Sequence, residues 1–145
     1  MSENSFLPPD ELRRVFNKIG QRFTPQREEI WRLFEKSASG LTISQATERL
    51  APLGIGQATV YRTVKALQEM GYLKWVHDLG GEHRFVASRP EHCHLLVCRS
   101  CAKAVECPDC DIATMEKLIA MQTGFLVEGH HLEFFGLCPD CSKEK

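Results

Sequence analysis

At 145 residues the chain has room for one ordinary domain or two small ones. Its 43% hydrophobic and 26% charged content excludes a disordered protein, and no apolar run nears the ~20 residues of a membrane span. The net charge of −1 hides an asymmetry: residues 1–75 carry 11 basic and 8 acidic groups and residues 76–145 carry 7 and 11, which points to two modules with different partners.

Residues 1–10 are polar and acidic and lack the apolar stretch of a signal peptide, so the expected compartment is the cytoplasm, where thiols stay reduced. Leu12, Val15, Phe16 and Ile19 at helical spacing predict a first helix over 10–19. A second follows Thr24-Pro25, with Thr24 as cap, Pro25 at the first position and Ile30, Leu33 and Phe34 as its buried stripe. A third runs from Thr42 or Ser44 to Leu50, stopping before Pro52 and Gly54. Over 56–70, Val60, Val64 and Leu67 form one apolar face and Gly71 closes the helix, while Gln57, Thr59, Tyr61, Arg62 and Lys65 lie off that face. Two alternating runs, 72–78 and 82–88, flank Leu79-Gly80-Gly81 and read as a hairpin. Three helices followed by a hairpin describe a winged helix-turn-helix, whose last helix enters the major groove. The competing reading is a small helical bundle with a merely solvated basic face.

All seven cysteines fall at or after Cys93, and all six histidines also lie in the second half. A disulfide scaffold spreads its cysteines; clustering with histidine points to metal. Cys98-x-x-Cys101 and Cys138-x-x-Cys141 have the spacing that turns two thiolates of each pair onto one tetrahedral zinc ion. The gap between the pairs exceeds that of a simple zinc ribbon, so a helix over 111–121, with Ile112, Met115, Leu118 and Ile119 buried, and strands over 125–127 and 131–135 are expected between them. Cys107-x-x-Cys110 is a third pair, open to a local four-cysteine site with Cys98 and Cys101 or to thiol redox chemistry. His92 and His94 share one face of a strand leading into Leu95, with Cys93 on the other. With His130, His131, Glu106, His77 and His83 they supply donors for one or two further sites. No catalytic triad or Gly-rich phosphate loop is present, which weighs against an enzyme; the rival of another class is a zinc-ribbon thiol oxidoreductase using Cys107 and Cys110.

Together, Arg22-Phe23-Thr24-Pro25-Gln26-Arg27, Ala58-Thr59-Val60-Tyr61-Arg62-Thr63, Gly71-Tyr72-Leu73, His92-x-His94, Cys98-Arg99-Ser100-Cys101 and Glu133-Phe134-Phe135-Gly136-Leu137-Cys138 resemble the ferric-uptake-regulator family over roughly residues 10–141. That resemblance implies an α+β protein: a winged helix-turn-helix DNA-binding domain over 1–87 and a small α/β dimerisation domain with structural zinc over 88–145. Within the family the chain looks most like the zinc-uptake regulators, which implies a zinc-loaded homodimer on a palindromic double-stranded DNA operator controlling zinc-uptake or zinc-homeostasis genes. An iron- or peroxide-sensing regulator of the same family is the alternative.

The residue roles implied by the resemblance are specific. Cys98, Cys101, Cys138 and Cys141 match the structural zinc ligands. Thr59, Tyr61 and Arg62 match the DNA-contacting helix, joined by Gln57 and Lys65, and Arg22 matches a residue reaching the minor groove. The sensory run of the family ends at a position that is Leu95 here, with Cys93 two residues earlier, and a thiolate there favours zinc. The expected hinge site is therefore His77, His83, Cys93 and Glu106. His92, His94 and His130 match a peripheral third site; its usual acidic partner falls at Ala113, leaving Cys110 or Glu116 to substitute. Each subunit is expected to hold one structural and at least one regulatory zinc.

Overall fold

The computed structural model describes residues 7–77, 80–107 and 110–144. Four helices come first: α1 (Pro9–Lys18), α2 (Pro25–Glu35), α3 (Ile43–Leu50) and, after a 3-10 turn at Ala51–Leu53, α4 (Gln57–Glu69). Their starts are written in side chains. Thr24 Oγ1 accepts from the Arg27 amide at 3.3 Å, with Pro25 at the first position of α2. Thr42 and Gln45 form a reciprocal capping box on α3, at 3.1 and 3.0 Å. α4 stops at Gly71, whose φ of 85° lets the Gly71 and Tyr72 amides turn back onto the carbonyls of Gln68 and Leu67.

The apolar stripes of these helices converge on one core. Phe16, Ile30, Phe34, Val60 and Leu67 are fully buried, and each such side chain contributes ~2 kcal/mol of burial. The wing follows as β1 (Leu73–His77) and β2 (His83–Ala87), paired antiparallel with His77 opposite His83, and Leu41 adds a bridge to Phe85. Asp78 and Leu79, part of the expected turn, lie outside the described residues.

The second sheet has the order β4-β3-β5, from β3 (His94–Cys98), β4 (Ala104–Cys107) and β5 (Glu133–Gly136). β4 runs antiparallel to β3, whereas β5 runs parallel to it. The long α5 (Ala113–Thr123) makes that crossover, and a short α6 (Pro139–Lys143) follows β5. A second core, Val76 and Val86 of the wing against Leu95 and Val97 of β3, joins the two sheets, and the Ala104 amide donates to the Ala38 carbonyl at 3.0 Å.

Two expectations need correction. Residues 125–127 form no strand: they are irregular chain after α5, and the three-stranded sheet is made without them. The α5 residues Met115, Leu118 and Ile119 are exposed, since among the described residues no apolar surface covers that face.

Candidate metal sites and nucleic-acid face

Parallel pairing of β3 with β5 builds a cluster at each end of the sheet. At the C-terminal end the register sets Cys98 beside Gly136, so Cys138 arrives one turn later, at the start of α6. Ala102, at φ 64°, tightens the turn that returns Cys101, with its amide on the Cys98 carbonyl at 2.8 Å. The sulfurs of Cys98, Cys101, Cys138 and Cys141 all lie within 4.8 Å of one another.

Their acid–base chemistry fits a dication. Backbone hydrogen bonds from Cys101 and then Cys138 hold the Cys98 thiol down to about 6. Cys141 is pushed up to about 12: against a Ser100 hydrogen bond that favours its thiolate, Cys138, burial, Cys101 and Cys98 all resist a further negative charge. Four sulfurs packed this closely could all be thiolates only with a cation among them, and a tetrahedral sulfur set suits zinc.

At the opposite end, β3 begins with His94. The register pairs His94 with Cys107 on β4, with Cys110 three residues further on, and sets Leu95 beside Glu133, with His130 three residues earlier. His94 Nδ1 donates to the Leu132 carbonyl at 3.1 Å and His130 Nδ1 to the Glu116 carboxylate at 2.7 Å. Those acceptors place a proton on each Nδ1 and turn each Nε2 away from them. The two Nε2 atoms face each other at 3.1 Å, and Cys110 Sγ stands 2.8 Å from one and 3.5 Å from the other. His92 completes the group edge-on, 4.9 Å from His94 and 5.0 Å from His130 between ring centroids. Burial, only partly offset by the Leu132 carbonyl, lowers the pKa of His94, and nearby His92, His130 and Lys74 add to this, so the neutral imidazole is favoured. Imidazole nitrogens and a sulfur placed this closely could hold a cation, with Glu116 positioned to orient one of the rings.

The hinge set is not assembled. His77 and His83 sit opposite each other at the free end of the wing, packed on Trp75, with His77 bonded to Glu133 at 3.3 Å. Cys93 and Glu106 meet instead around Ser88, at 3.4 and 2.8 Å. Five residues of extended chain separate His83 from Ser88, about 17 Å at ~3.3 Å per residue, too far for one ion. Among the described residues no metal-sized group joins the two pairs. Cys107 ends β4 outside both clusters, and its pair with Cys110 spans Pro108 and Asp109, which lie outside the described residues. Ala113 opens α5 one turn before Glu116.

On the other face, α4 presents Gln57, Tyr61, Arg62 and Lys65 to solvent, with Tyr61 53% exposed, and Thr59 half-buried beside them. Sequence reading missed Arg27. Its guanidinium stacks 4.8 Å from the Phe16 ring centroid and donates to the Arg22 carbonyl at 2.8 Å. Burial and then the charge of Arg62 lower its pKa, so Arg27 feels the positive charge of the exposed helix. Cations on this face suit an anionic partner, and a DNA phosphate backbone is one. The motif at 22–27 carried that signal already.

Comparison with known proteins agrees with this layout. The model of the ferric uptake regulator family matches residues 18–135. The peroxide operon regulator of Bacillus subtilis is 32% identical over 93% of this chain and 94% of its own length. The ferric uptake regulation protein of Synechococcus elongatus is 31% identical, over 91% and 93%. Among solved structures, holo XcZur superposes with a TM-score of 0.75 at 28% identity, covering 97% of this chain and 99% of its own. The Vibrio cholerae ferric uptake regulator gives 0.60 at 27%, over 88% and 99%. The chain belongs to the ferric uptake regulator family. It is thus a metal-responsive transcription regulator and not an enzyme.

Proposed function

We propose that this regulator responds to zinc: as a zinc-loaded homodimer it binds a palindromic operator and controls zinc-uptake or zinc-homeostasis genes. Cys98, Cys101, Cys138 and Cys141 hold a permanent zinc, and His92, His94, Cys110 and His130 hold the regulatory ion. The observation that carries this reading is the convergence of two histidine Nε2 atoms on a cysteine sulfur, with His94 Nε2 and Cys110 Sγ 2.8 Å apart. Three imidazoles and a thiolate suit zinc, whereas manganese prefers oxygen donors and non-haem Fe²⁺ commonly pairs histidine with a carboxylate. The closer superposition on holo XcZur than on the Vibrio cholerae ferric uptake regulator supports the same choice.

Metal in the permanent site supplies folding energy by tying β3 to α6. In the second cluster, His94 and Cys110 come from β3 and the segment after β4, His130 from the segment before β5, so an ion there draws three segments together beneath the wing. The wing and α4 share the first core, so a change in that packing reaches Tyr61, Arg62, Arg22 and Arg27. Dimerisation draws on exposed apolar side chains of and after α5, Met115, Leu118 and Phe125, which a second copy would cover.

The rival rests on the relatives named for iron and for peroxide at 31% and 32% identity. Operator-affinity measurements on protein holding only its permanent zinc separate the two, by adding Zn²⁺, Fe²⁺ or Mn²⁺. The zinc reading expects a rise of ~5–150-fold with Zn²⁺ alone. A rise with Fe²⁺ or Mn²⁺ but not Zn²⁺ overturns it.

A further inference from the structure

Between the wing and the metal-binding domain lies a donor set with its own resident cation. Lys74, on β1, sends its ammonium across the hinge to four acceptors: Ser88 Oγ at 3.0 Å, the carbonyls of Arg89 and Glu91 at 3.1 Å each, and Cys93 Sγ at 2.7 Å. An ammonium has three protons, so all are engaged and one is shared. The Ser88 hydroxyl is fully buried; it accepts from Lys74 and donates to Glu106 Oε1 at 2.8 Å, which also takes the Arg89 amide at 2.8 Å. Lys74 and Glu106 thus form an ion pair relayed through one buried hydroxyl.

We propose that Lys74 is the hinge cation of this protein: it takes the place a second regulatory metal ion would need, and it carries the state of the histidine cluster to the wing. The first half follows from occupancy. Cys93 and Glu106, the sulfur and carboxylate expected to ligate metal at the hinge, already serve the ammonium directly or through Ser88. A divalent ion added beside that charge meets repulsion and a ligand set short of both wing histidines. The second half follows from connectivity. Cys93 stands between His92 and His94, so an ion bound by those rings fixes the segment whose carbonyls and sulfur grip Lys74. Lys74 is also part of β1, paired with Val86 on β2, so a firm grip fixes the wing.

This rests on the reading that the histidine cluster is regulatory, and its tests fail separately from that reading. Zinc content of the purified full-length protein, saturated and then washed, is expected to be two ions per chain. Cys93→Ser leaves it at two; a third ion lost in Cys93→Ser makes the hinge a metal site and overturns the proposal. For Lys74→Met, competition with a chromophoric chelator is expected to give zinc affinity for the second site within about threefold of wild type. Operator affinity with and without that zinc then differs by less than about twofold, against the ~5–150-fold of a working regulator. Lys74→Arg, which keeps charge and donors, restores part of the response. If Lys74→Met stays folded and keeps the full zinc response, Lys74 carries nothing and the proposal fails. If wild type shows no zinc response, the functional reading itself fails while the two-ion count still tests the hinge.

Discussion

Glu116→Ala is the sharpest probe of the histidine cluster. The carboxylate accepts from His130 Nδ1 at 2.7 Å and does not need to touch a metal to matter. It fixes the His130 tautomer that turns Nε2 toward His94 and Cys110, and it raises the basicity of that nitrogen. Both side chains are partly exposed, so the ion pair alone contributes little to stability, and the effect should fall on metal affinity. Loss of such an orienting carboxylate costs about 10–100-fold in metal affinity, which is roughly 1.4–2.7 kcal/mol. Chelator competition on protein that retains its permanent zinc reads this directly, and the Co²⁺ spectrum of the second site reports whether Cys110 still ligates. The cysteine-held zinc and the thermal midpoint of that form should not move. An affinity unchanged within about twofold would refute the role given to Glu116, and loss of both metals would show a folding defect instead.

Arg62→Ala should lower operator affinity by ~1–3 kcal/mol if Arg62 reads a base, with metal content unchanged, as measured by fluorescence anisotropy. Cys138→Ser should remove one zinc per chain by elemental analysis and lower the thermal midpoint, because the metal there joins β3 to α6. The lowered pKa of His94 fixes a sign for acid: the unfolded chain takes up this proton near pH 6.5 and the folded one only below it. Stability before the second metal is added is therefore complete above about 6.5 and falls as the pH drops through the lower folded value, and His94→Asn should flatten that fall in a series of thermal melts. Gly71→Ala should destabilise by at least ~1 kcal/mol, since φ is 85° and the new Cβ would lie 3.1 Å from Pro90 Cα.

Helix caps and the Gly71 stop are local chemistry, so the N-terminal helices were legible within a residue or two. The paired knuckles were legible for a similar reason, because two-residue spacing encodes a turn. The parallel crossover that stacks Cys98 on Gly136 was not, since period-2 alternation says nothing about which strand lies beside which. That crossover decides the partner of each histidine. It takes His130 to His94 and leaves His77 and His83 at the far end of the wing, where the hinge reading had drawn them inward. Lys74 gave no sequence signal, because a lysine on a strand is ordinarily solvated. α5 shows the same limit: its apolar stripe was plain, but a stripe does not say whose surface covers it.

One strand, His94–Cys98, carries a ligand of each cluster at its two ends. Four residues of strand set those ends about 13 Å apart at ~3.3 Å per residue. A single inserted or deleted residue inside it would turn one end to the wrong face. Descent with modification therefore cannot retune this protein by changing lengths here. If the histidine cluster is regulatory as proposed, the sensed metal is retuned by exchanging one donor atom for another at that end, with the sulfur end left as it is.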